Sequence, residues 1–142
     1  MELLTDPFDR ATLEWAALPL RIALGAIFVV SGGGKFRRGI RGTGRWLQGL
    51  GFPFPQATAR MVASTELVGG ALLLAGLFTH WVAIPLALNM VAATWTEKYR
   101  IGAPFQGSEQ AQGYELTVLM AGVALALALL GAGPLSLDAL LD

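Results

Sequence analysis

Four apolar stretches, approximately residues 15–34, 57–78, 80–97 and 114–131, follow one another along this chain of 142 residues. Each is close to the roughly 20 residues that an α-helix needs to cross the hydrocarbon of a bilayer. Little chain remains for a separate soluble domain. The pattern therefore predicts one membrane domain over residues 1–142, all-α, built as a four-transmembrane-helix bundle of two helical hairpins. The composition agrees: 54% of residues are hydrophobic, 14% are charged, and the mean hydropathy is +0.57, values typical of a membrane protein.

The chain has no cysteine, which excludes disulfides, thiolate metal sites, iron–sulfur clusters and thiol relays. His80 is the single histidine, so two-histidine haem ligation within one chain is excluded too. The formal net charge is zero, and nothing points to nucleic-acid binding. Glu66, Glu115 and His80 are few and fall at different depths, which argues against a metal site. Glu2, Asp6, Asp9 and Glu14 face one base, Arg10, at the N-terminus. A secretory signal needs a basic n-region, so the first span is expected to stay in the protein.

Lys35, Arg37, Arg38, Arg41, Arg45 and Arg60 lie in a segment, 35–60, that contains no acid. By the positive-inside rule this loop is cytoplasmic, and both termini are then outside. Trp15 and Trp81 fall at the expected outer interface, Trp46 and Trp95 towards the inner one, as belt residues would. Within the loop, Phe36, Ile40, Leu47 and Leu50 recur at helical spacing beside Arg37, Arg41 and Arg45. This predicts a short interfacial helix on the cytoplasmic surface, attracted to anionic lipid. Gly51-Phe52-Pro53-Phe54-Pro55 then breaks the helix and redirects the chain.

Arg21 and Glu66 interrupt the first two apolar runs. A charge inside hydrocarbon costs at least roughly 2.5 to 3.5 kcal/mol, so such residues either join helices or form a site. Arg21, Gly25, Phe28, Gly32 and Lys35 lie along one stripe of the first span. Ala59, Ala63, Glu66 and Gly70 form a matching stripe on the second, and small residues let membrane helices approach closely. At 1.5 Å per residue, Arg21 lies roughly 10 Å and Glu66 roughly 15 to 18 Å below the outer boundary, within reach of a guanidinium. Arg21 is expected to pair with Glu66, near Asn89 of the third span, and Lys35 with Glu115, beside Tyr114, lower down. Either pair could be architectural or could bind a ligand. Arginine keeps its proton, while burial and a nearby cation pull a carboxylate's pKa in opposite directions.

Gly51-Phe52-Pro53-Phe54 before Glu66-Leu67 is echoed by Gly102-Ala103-Pro104-Phe105 before Glu115-Leu116. A two-hairpin repeat about an axis along the membrane normal would produce that echo. Further short motifs run in order through the chain: Pro19 to Phe28, Ser31-Gly32-Gly33-Gly34-Lys35, Gly51-Phe52-Pro53, Glu66-Leu67-Val68-Gly69-Gly70, Gly76-Leu77-Phe78-Thr79, Gly113-Tyr114-Glu115 and Gly133 to Asp138. Together they resemble the DoxX family of small four-helix membrane proteins, from about residue 18 to the end. Many members carry histidine where Ser31 stands, so a role for histidine there does not extend to this chain.

The resemblance implies a multi-pass protein of a bacterial or archaeal cytoplasmic membrane. One branch of that family is a subunit of thiosulfate:quinone oxidoreductase. By this resemblance Arg21, Lys35, Glu66 and Glu115 occupy the motif's charged positions. One expectation is a redox subunit that holds a quinone non-covalently, with Arg21 polarising a carbonyl and Glu66 moving the coupled proton. Asn89, Lys35, Glu115 and Tyr114 would complete the ligand set, and soluble or membrane redox partner subunits would supply electrons. The alternative is a non-enzymatic subunit, an assembly factor, or a small-solute or proton pathway. A slot open to lipid would favour quinone, a water-filled cavity transport, and a filled interior a structural role. Exposed small-residue faces would also allow a homo-oligomer.

Overall fold

The computed structural model describes residues 10–142; the acidic N-terminal residues Glu2, Asp6 and Asp9 lie outside them. Among the described residues the chain is entirely helical, without strands. A short α1 (Arg10–Glu14) leads into α2 (Ala17–Arg38), followed by α3 (Ile40–Gly49), α4 (Pro55–Ala75) and α5 (Thr79–Trp95). A π-helical segment (Thr96–Ile101) continues α5, and α6 (Glu115–Leu130) and α7 (Leu137–Leu141) complete the chain. Two helices, Thr12–Arg38 and Pro55–Ala75, are long and apolar enough by themselves to cross a membrane. The apolar stretches at 80–97 and 114–131 form shorter helices of 17 and 16 residues, the first prolonged by its π turn. The short helix expected after the first apolar run is present as α3.

Local chemistry explains the breaks. Pro55 opens α4 at a position where its missing N–H costs nothing. Gly76, at φ 69°, closes α4 in a left-handed cap, with Leu77 N donating to Leu72 O at 2.9 Å. This is the Schellman arrangement, which satisfies carbonyls that a helix end leaves open. The chain turns at once into α5.

The most extensive contacts join α2 with α4 and α5 with α6, while α4 also packs on α5 and α2 on α6. Glycine sets the α2–α4 distance. A Cβ placed on Gly32 would lie 2.5 Å from Leu67 N and 2.9 Å from Ala63 O, and one on Gly70 would lie 2.8 Å from Gly25 O. Gly32 thus faces Glu66 while Gly25 faces Gly70, so the helices run antiparallel with backbones in close contact. Between α5 and α6, Thr94 meets Thr117 at one end and His80 Nδ1 meets Ala128 O at the other. Leu24, Phe28, Leu73, Leu86, Met120 and Leu127 fill the interior. Large apolar side chains also cover the outside, including Val30, Leu88, Leu119 and Leu129, all more than 60% exposed. The four tryptophans lie partly or largely exposed near helix ends or on α3.

Candidate functional site

Lys35, in the last turn of α2, points back along the helix to Ser31, its neighbour one turn earlier. Its Nζ lies 2.9 Å from Ser31 Oγ and 2.7 Å from Glu66 Oε2. Ser31 donates to the same Glu66 oxygen at 3.0 Å. The other oxygen, Oε1, accepts from Asn89 Nδ2 of α5 at 3.2 Å. Three helices therefore converge on one carboxylate, and the glycine contact at Gly32 makes the convergence possible. Glu66 is 3% exposed, whereas the Lys35 side chain is 20% exposed. An ammonium has three N–H donors, so Lys35 keeps one beyond its bonds to Ser31 and Glu66.

Arg21 does not reach Glu66, contrary to expectation. It donates from Nη1 to Ala132 O at 2.7 Å and from Nη2 to Leu135 O at 2.8 Å. The segment after α6 folds back over the α4–α5 turn, and its carbonyls meet the guanidinium there. Depth along a helix had suggested the pairing; the returning segment supplied nearer acceptors. Arg21 is 2% exposed and its Nε has no protein partner. The same region contains Asp138, whose carboxylate accepts from Phe78 N at 2.7 Å and Thr79 N at 2.9 Å. Asp138 N in turn donates to Gly76 O at 2.9 Å. Partial burial pushes the Asp138 carboxyl up, but the N–H groups of Thr79 and Phe78 and the neighbouring His80 outweigh that effect and hold it below its ordinary value.

Residues 16–98 match the DoxX family model. A protein of Bacillus subtilis (strain 168) named "Putative oxidoreductase CatD" is 35% identical over 116 residues, which cover 82% of this chain and 81% of that protein. The chain belongs to the DoxX family. No solved structure matches it.

In this DoxX protein the second expected pair, Lys35 with Glu115, is also replaced. Glu115 accepts from Gly107 N at 3.2 and 3.1 Å through its two oxygens, which closes the loop before α6. Lys35 reaches the nearer carboxylate on α4. Tyr114 precedes α6 and packs its ring edge-on against Phe105, with centroids 5.4 Å apart, away from the Glu66 cluster. Of the expected ligand set, Asn89, Lys35 and Glu66 come together, while Arg21, Glu115 and Tyr114 do not join them.

Two participants had escaped sequence reasoning. Ser31 is one turn from Lys35 in the Ser31-Gly32-Gly33-Gly34-Lys35 motif, and that spacing was its available signal. Asp138 lies in the Gly133 to Asp138 motif; its use depends on the C-terminal segment reaching the N-terminus of α5. A further polar chain joins Thr94 to Thr117 at 3.0 Å and Thr117 to Glu97 Oε2 at 2.8 Å.

Proposed function

We propose that this DoxX protein is a multi-pass protein of a bacterial or archaeal cytoplasmic membrane, with α2, α4, α5 with its π extension, and α6 as four spans. The exposed Val30, Leu88, Leu119 and Leu129 side chains support that reading, because apolar surface of this extent needs an apolar neighbour. The acid-free 35–60 loop would then face the cytoplasm and both termini the outside.

Within the membrane the protein serves as a redox-associated component that binds a small carbonyl compound, a quinone, beside Lys35, Glu66 and Asn89. One observation carries this reading: Lys35 is partly exposed, bonded to a buried carboxylate, and has one N–H left to offer. That N–H would polarise a quinone oxygen and pass it the proton that must accompany the electron, while the Glu66 carboxylate holds the ammonium in place and takes up the next proton in its turn. The electrons would come from a partner subunit, since the chain contains no thiolate or haem-ligating pair. The relative's name, an oxidoreductase, supports the redox association. Compared with the sequence-based expectation, the role of Arg21 passes to Lys35.

The alternative, a non-enzymatic membrane subunit, has its own support. Both Glu66 oxygens are occupied by protein donors, and two surface clefts among the described residues lie elsewhere, lined by residues 107–113 with Glu115 and by the α5–α6 flank. Extraction of small molecules from the purified protein, with identification by mass, separates the readings. Quinone should come from the parent protein and be lost from Glu66→Gln. A folded protein that neither carries nor reduces added quinone would leave only the structural reading.

A further inference from the structure

The flank between α5 and α6 carries a cleft of about 350 Å³, at the lower end of the volumes typical of ligand pockets. Val91, Trp95, Val118 and Ala121 make its walls largely apolar, and Thr94 adds one hydroxyl that already bonds within the protein. Lys98 and Tyr99 form its mouth. The π turn from Thr96 to Ile101 arranges that mouth, since a π turn shifts the residues after it relative to an α-helix. Trp95 and Tyr99 stand with ring centroids 6.0 Å apart. Lys98 Nζ lies 5.1 Å from the Tyr99 ring centre, and the Arg100 guanidinium lies 5.3 Å from that of Trp95. Arg100 is also tied to Leu50 O at 2.8 Å.

The only acid adjoining this group on the same turn, Glu97, is turned towards α6 and accepts from Thr117. The cleft therefore combines an apolar trough with a cationic, aromatic rim. Bulk lipid needs neither a trough nor a cation among its lining residues, and here Lys98 is that cation. We propose that the α5–α6 cleft is a binding site for an anionic phospholipid, with an acyl chain between Val91, Val118 and Ala121 and the phosphate beside Lys98. Charge complementarity selects this occupant: the rim offers positive charge and amphipathic rings, which belong at headgroup level. The site rests on the membrane reading above but is separate from the Glu66 cluster and independent of any redox role.

The test uses full-length protein extracted in detergent and reconstituted with equal amounts of dioleoyl phosphatidylglycerol and dioleoyl phosphatidylcholine. Lipids that stay bound are counted by native mass spectrometry. The parent should retain the anionic lipid over the zwitterionic one by roughly fivefold, the factor that one basic side chain near a membrane surface provides. Lys98→Gln, an exposed substitution that leaves the helices intact, should abolish the preference. Val118→Trp, which fills the trough without changing charge, should lower retention of both lipids. Equal retention by the parent, or a preference that survives both substitutions, overturns the site. Protein that remains soluble without detergent would instead overturn the membrane reading beneath it.

Discussion

Lys35 Nζ and Glu66 Oε2 lie 2.7 Å apart, yet the two residues differ in access to the surroundings: the glutamate side chain is 4% exposed and the lysine 20%. Their removal should therefore be unequal. Lys35→Met strands a buried carboxylate and should cost about 3 kcal/mol, in the range for breaking a buried pair. Glu66→Gln leaves a cation that can extend towards the surface, and should cost less. Thermal melting of both variants and of the double substitution in detergent checks the order. Equal losses would mean that the lysine cannot relocate.

The space around each backbone predicts opposite outcomes for two glycines, one at the α2–α4 contact and one on α6. Gly32→Ala drives a methyl group against Leu67 N and Ala63 O, backbone atoms that cannot rotate away, and should cost about 1 to 3 kcal/mol. A Cβ on Gly122 in α6 meets nothing within 4 Å, so Gly122→Ala should stabilise the helix by about 0.5 to 1 kcal/mol. Melting temperatures of the two variants, measured side by side, test the contrast.

Arg21 holds the C-terminal segment through Ala132 O and Leu135 O. Hydrogen bonds from a charged group contribute about 1.5 to 3 kcal/mol each, so Arg21→Met should release residues 132–142 rather than disturb the Glu66 cluster. Limited proteolysis should cut the variant within that segment while any quinone binding stays intact. Loss of quinone with no new cleavage would return Arg21 to the ligand site.

Asp138 ties the same segment to the start of α5, and its carboxyl is held below its ordinary pKa. Because the folded value is the lower one, this contribution is complete above the unfolded value and fades as pH falls through the folded one. Asp138→Ala should therefore lower stability by about 2 kcal/mol at neutral pH, and the gap to the parent should close in acid. Melting temperatures across that pH range provide the check. A gap that widens in acid would reverse the sign.

Much of the helical layout was legible because runs of apolar residues bounded by Gly51 to Pro55, Gly76 and Gly102 leave few other ways to satisfy a backbone away from water. The small-residue stripe of Gly25 and Gly32 was legible for a similar reason: 3.6 residues per turn puts them on one face. Asn89 beside Glu66 followed from depth alone. The ion pairs did not: two candidate cations shared the α2 stripe, depth favoured Arg21 for Glu66, and Lys35 is the one that meets it.

Sequence by itself determined the helix-forming segments, the inventory of chemistry available to the chain, and the stripe on which Arg21 and Lys35 both lie. Tertiary structure alone decided how those charges were divided. The backbone contact at Gly32 set the register that brings Lys35 to Glu66, and the fold-back after Gly131 brought carbonyls to Arg21. Both outcomes depend on which atoms come within about 3 Å, the range of a hydrogen bond. Such distances are set by packing between segments far apart in the chain, and periodicity within one helix carries no record of them.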